Sequence, residues 1–288
     1  MSQEPVNPGP FPFPAPSSHQ HDSARTPPPK RERDLFGKEP PGELVDWSHR
    51  KGEPRVFAVL WMIFLLSSTA MMFARLSTGY TISPSVSSPA AREMLVLVVF
   101  GMSILWPMVR FSQKIARPSI VAASIRDMIV VLIPLQAVIW PQRLVVLGGW
   151  TLDVVAAMAL HTFAWGLVIA GLISIGSILI AGSSNDRITR MWMMLGTALV
   201  VFMVPVIELV TLKGAPLSVA HANLGWMLSP VTGILEITAN RNELGRPAMV
   251  FGAHFRIITA VGLVGIALLL FARSLENAKW VARRRIQP

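Results

Sequence analysis

The 288-residue chain contains no cysteine, which rules out disulfide frameworks, thiolate metal sites and cysteine nucleophiles. Charge is scarce as well. Only 15% of residues are Asp, Glu, Lys or Arg, against roughly 25% in soluble domains. The sequence has no Gly-x-x-x-x-Gly-Lys-Ser/Thr phosphate loop, no His-Glu-x-x-His zinc motif and no Gly-x-Ser-x-Gly nucleophile elbow, so the common routes to nucleotide, metal and acyl-transfer chemistry are closed. The chain is therefore expected not to be an enzyme, and to carry no metal or cofactor. It also lacks a short basic-then-apolar leader: the first apolar run starts only at Val56 and reads as a retained span, not a cleaved signal peptide.

Apolar residues dominate what is there, at 52% with a mean hydropathy of +0.51. They gather into six runs that are apolar all round, over about 56–74, 91–109, 119–140, 152–181, 191–212 and 250–272. A bilayer core of about 30 Å needs runs of this length, whereas a soluble core uses shorter or amphipathic elements. The expected fold is all-α: a polytopic transmembrane helical bundle over 55–275, with Pro134 and Pro205 predicting kinks. A Pro-rich tail over 1–54, with segments such as Thr26-Pro27-Pro28-Pro29-Lys30-Arg31, favours polyproline conformations over packed structure and is expected to be disordered. A basic tail over 276–288 closes the chain.

The net charge of +10 does not point to nucleic acid, because no aromatic-interleaved basic stripe is present. The basic residues instead flank the apolar runs, where they fix orientation and meet anionic lipid. With an even number of spans, the flanks on the side of the termini hold thirteen Lys and Arg against six on the other. This asymmetry puts both termini in the cytoplasm, in an inner or plasma membrane. Trp140, Trp150, Trp192 and Trp280 fall near the expected headgroup levels, as anchors do.

Ionisable residues inside spans are expensive and seldom accidental. In this topology Asp153, His161, Glu208, His254 and Arg256 form a candidate polar cluster in the outer half of the membrane, with His221 and Glu236 of the outer connection able to join it. Carboxylates and imidazoles at one depth can relay protons, bind a cation or recognise a polar headgroup. For those near helix ends, simple interfacial solvation is the competing reading. Arg126 and Asp127 lie toward the inner end of span three as a candidate contact for a cytoplasmic partner, with Arg126 expected to snorkel to the surface. Small residues in span four (Gly166, Ala170, Gly171, Ser174, Gly176) allow close helix approach, within the chain or in a possible homodimer.

The connection from Lys213 to Pro247 is long and half apolar. Its pattern predicts two short helices around Ser229-Pro230, expected to lie on the outer surface, with a re-entrant hairpin as the alternative. Six spans, termini inside and short helices before the last span, with Leu228-Ser229-Pro230-Val231 among them, resemble the permeases of the ABC-2 exporter type. That resemblance implies a permease-like transport subunit acting with a separate cytoplasmic ATPase, docked near Arg110–Pro118. The alternative is a non-transport scaffold, assembly factor or sensor whose Pro-rich tail recruits a partner.

Overall fold

The computed structural model describes residues 54–76, 84–113, 119–211, 224–240 and 248–286. The described residues all belong to one compact unit, Ser48–Pro288. The Pro-rich stretch up to residue 53, the segment from Leu212 to Asn223 with His221, and residues 241–247 lie outside the described residues.

The protein is a multi-pass helical bundle. Its long helices are α1 (Pro54–Leu76), α2 (Pro84–Phe100), α4 (Ile120–Ile139), α5 (Leu152–Ile180), α6 (Asp186–Thr211) and α8 (Gly252–Ile286), with shorter α3 (Trp106–Ser112) and α7 (Pro230–Ile237). Six stretches are long and apolar enough to cross a bilayer, each overlapping the run read from the sequence, though the fifth starts and ends earlier and the sixth ends later: Phe57–Leu76, Ser87–Ser112, Ile120–Arg143, Leu152–Ile180, Asp186–Ile207 and Gly252–Ala278. The last helix does not stop where its apolarity does. It continues to Ile286, into the segment read as a basic tail. The face where α1 begins and α8 ends is called the terminal face below, and the other the distal face.

α5 is the axis. Within its apolar window 72% of residues are buried, against 11% in α6, whose sides are left for lipid. Glycines let its neighbours close in. A Cβ on Gly171 would lie 2.6 Å from Cβ of Leu268 on α8, and one on Gly265 of α8 would lie 2.6 Å from Cβ of Leu167. Gly166 faces Leu132 of α4, and Gly176 faces Phe111 of α3. The small residues of span four thus serve packing within the chain. Without a hydrophobic drive between helices in lipid, such contact and buried hydrogen bonds carry the association. The Trp61 indole donates to the Val131 carbonyl at 3.0 Å, joining α1 to α4, and Gln136 donates to the Ala159 carbonyl at 3.2 Å, joining α4 to α5.

Span two holds a feature that the apolar pattern did not reveal. Between α2 and α3 the helix widens into a π turn over Gly101–Leu105, closed by the Trp106 amide on the Gly101 carbonyl. Pro107 has no N–H to return to Ser103, so the helix meets it with an altered ladder. The helices run on through Pro134 and Pro205. Trp150 departs from the anchor reading. It is 5% exposed, folded back over Gly148 in the tight α4–α5 turn, where Gly149 takes φ 66°. Trp140 and Trp192 do face outward.

Gly171→Ala is expected to cost about 1–3 kcal/mol through overpacking against Leu268, read as a lower unfolding midpoint in detergent. Gly196→Ala on α6, where nothing lies within 4 Å of the added methyl, is expected to be neutral or stabilising by up to about 1 kcal/mol.

Candidate functional site

The short helix α7 follows a 3-10 turn over Leu224–Leu228. Ser229-Pro230 starts it for a simple reason: Ser229 is extended (φ −127°, ψ 142°), and proline occupies the first helical position, where its missing N–H is harmless. Thr232 Oγ1 donates to the Trp226 carbonyl at 2.8 Å, clamping the helix onto the turn before it.

A helix lying on the membrane surface would keep one face open. None of residues 229–239 is exposed, and Pro230, Gly233, Ile234, Glu236 and Ile237 are buried. α7 packs against α2, α5, α6 and the turn before it, and its Glu236 reaches α8. The expected surface position is therefore corrected to a re-entrant one. Too much of α7 is apolar, and the polar groups it does carry find partners inside the bundle.

Those partners are the core of the site. His161 of α5, fully buried, presses its ring against Gly233, so that a Cβ there would collide with Nε2. The backbone of Ser229 and Pro230 lies beside the same ring, although neither ring nitrogen makes a well-aligned hydrogen bond. His161 is nine residues into α5, about 14 Å along its axis. One turn further along α7, Glu236 Oε1 lies 3.4 Å from Nε2 of His254, with both side chains buried. The Phe251 amide donates to Nδ1 of His254 at 3.1 Å, capping the start of α8. With Nδ1 accepting, the neutral ring carries its proton on Nε2, directed at the carboxylate. At the last turn of α7, Arg92 of α2 donates to the Thr238 carbonyl, as a cation near a helix C-terminus should.

His254 belongs to the first turn and Arg92 to the second turn of the apolar windows of their helices at the distal face, while His161 is deep. α7 therefore points its N-terminus into the bundle and its C-terminus toward the distal face. The arrangement joins three spans through one short, mostly apolar helix. Chemically, it offers a buried carboxylate–imidazole pair able to share a proton, and polar atoms at membrane depth.

Of the residues singled out from the sequence, His161 and His254 meet here through α7, and Glu236 joins them. Asp153 is exposed in the first turn of α5, and Arg256 is exposed on α8; neither enters the cluster. Glu208 lies within α6, its side chain outside the described residues. Near the terminal face Asp127 is buried against Arg110, Nε to Oδ2 2.9 Å. The two atoms are not aligned for a hydrogen bond, so the contact is ionic. Arg126 is exposed. Sequence reasoning missed Arg92, treated only as a flanking charge; its place next to Glu93 inside the apolar stretch Ala90–Phe100 was the available signal. Gly233 and Thr238 carried none. No family model, curated protein or solved structure matches the chain.

Gly233→Ala is expected to destabilise the protein by about 1–3 kcal/mol, and by clearly less in a His161→Ala background, a coupling that a double-mutant cycle on detergent unfolding reads directly. Glu236→Leu, which removes the acceptor facing His254, is expected to cost about 1–3 kcal/mol, and Glu236→Gln less.

Proposed function

We propose that the chain is a permease-like subunit of a membrane transporter, driven by a separate ATP-hydrolysing protein and not itself an enzyme. The observation that supports this reading is α7: a short helix held inside an apolar bundle by polar contacts to two spans and by close packing of Gly233 against His161 of a third. Broken or re-entrant helices with inward-directed ends are the elements that build polar sites at membrane depth in transporters. An inert scaffold gains nothing from burying a carboxylate and two imidazoles there.

Because the sequence holds no phosphate loop, energy must come from a partner. The connection between α3 and α4 is the natural place for one to push, since both its ends are tied into the bundle. Arg190 of α6 donates to the carbonyls of Phe111 and Gln113, the latter at 3.0 Å. Glu276 of α8 accepts from the Ile120 amide at 2.7 Å. Movement of that connection would reach α6 and α8 together. On this reading the terminal face is cytoplasmic, as the Lys and Arg distribution implies, and a second copy would meet the chain along the little-covered α6.

The test is native purification in mild detergent with mass spectrometry of co-purifying subunits. A stoichiometric subunit bearing a phosphate-binding loop is expected, with its recovery lowered by Arg190→Ala. A chain that purifies alone, or only with membrane proteins lacking such a loop, would contradict the proposal and favour recruitment through the Pro-rich tail.

A further inference from the structure

Arg126 stands on α4 two turns beyond the helix start at Ser119, about 10 Å along the axis. It is exposed, on the side of α4 that also exposes Ala122, Ile125, Ile129 and Ile133, the last two at 47% and 66%. This is a lipid-facing surface. Arg126 makes no hydrogen bond or ion pair among the described residues, and the adjacent carboxylate of Asp127 is occupied by Arg110. A guanidinium facing hydrocarbon, whose nearest carboxylate, Asp127, it shares with Arg110, is costly, so it must find a further anion or water at the interface.

Geometry says which way it reaches. Side chains on a helix tilt toward its N-terminus, and α4 begins at the terminal face, so Arg126 reaches back toward that face. There, on the same side of α4 two turns earlier, Arg273 of α8 donates through Nη1 to Ser119 Oγ at 3.2 Å and to Glu276 Oε2 at 3.0 Å. Arg273 remains 54% exposed. The single acid in this group, Glu276, is already committed to the Ile120 amide and to Arg273. Arg126 and Arg273 thus stand on one side of α4 toward the terminal face, and the isoleucine stripe continues from Arg126 along the helix.

We propose that this side of α4 is a binding site for an anionic glycerophospholipid of the leaflet at the terminal face, its phosphate held by Arg126 and Arg273 and its acyl chains along Ile125, Ile129 and Ile133. Charge selects an anion, the fork of the guanidinium suits phosphate oxygens, and the apolar stripe selects a lipid over a soluble anion. The site is independent of the transport reading, since it requires no partner subunit and no movement of α7.

The experiment is native mass spectrometry of the full chain from mixed micelles holding equal phosphatidylglycerol and phosphatidylcholine. Wild-type protein is expected to retain phosphatidylglycerol preferentially. Arg126→Gln should lower that retention about fivefold, from the contribution of one arginine at a charged surface, with phosphatidylcholine adducts unchanged; Arg126→Lys should fall between. Equal retention of the two lipids by the wild type, or undiminished phosphatidylglycerol retention in Arg126→Gln, would overturn the proposal. If the Gln variant fails to insert, wild-type unfolding in vesicles of each lipid decides. A higher midpoint in phosphatidylglycerol that shrinks with added salt supports the site, and equal midpoints refute it.

Discussion

The close approach of α5 and α8 is the contact on which the bundle rests. Gly171 and Gly265 remove the side chains that would otherwise hold the two helices apart, so that Leu268 and Leu167 each fill the gap left on the other helix. In a hydrocarbon solvent, apolar area gives no drive toward association, and only contact of this quality and buried polar bonds distinguish protein from lipid neighbours. The same helix offers Gly166 to Leu132 and Gly176 to Phe111. One span thus accepts α4, α8 and α3 at separate levels, while α1, α6 and α8 leave most of their own apolar windows uncovered.

Once α5 and α8 are set, the place of α7 follows. Its deep end has His161 for a neighbour because α5 is there, and its Glu236 meets His254 because the start of α8 is there. Backbone polarity, the usual obstacle to placing a short irregular segment inside a membrane protein, is dealt with group by group. The Gly233 amide returns to Ser229 at 3.0 Å, and the Thr238 amide to Ile234 at 3.1 Å. Arg92 takes the carbonyl of Thr238, and Thr232 the carbonyl of Trp226. A surface helix would make the local bonds too, but would leave the Thr238 carbonyl to water. The terminal face works by similar means, with Arg190 and Glu276 completing the ends of α3 and α4, so that polar side chains finish helices at both faces.

The spans were legible because apolarity over a full bilayer thickness has no competing explanation. The ends of α5, for example, match the sequence reading within one residue. α8 continues beyond its apolar run, since helix propensity in Leu275-Glu276-Asn277-Ala278 persists after hydropathy fades. α7 was misplaced for a different reason. Eight residues cannot show by periodicity whether they lie on a surface or inside a bundle, and the decisive partners, Arg92, His161 and His254, are distant in sequence. The π turn and the role of Gly233 were beyond reach because both depend on what another helix or a neighbouring proline does to the local ladder. His161 and His254 could be nominated by the cost of placing them in a span; that they would meet through Gly233 and Glu236 could not.

The re-entrant position of α7 is the claim that most of this account needs, and the chain supplies its own background for testing it, having no cysteine. Single cysteines placed at Ile234 and Ile237, both fully buried, can be compared with one at Val145 in the α4–α5 turn, which is 66% exposed, using a membrane-impermeant maleimide on proteoliposomes or on intact and everted membranes. The structure predicts rapid labelling at Val145 from one side of the membrane and protection at Ile234 and Ile237 from both. Labelling of Ile234 and Ile237 as fast as Val145, from the same side, would mean that α7 lies on the membrane surface and that the buried cluster of His161, Glu236 and His254 does not exist.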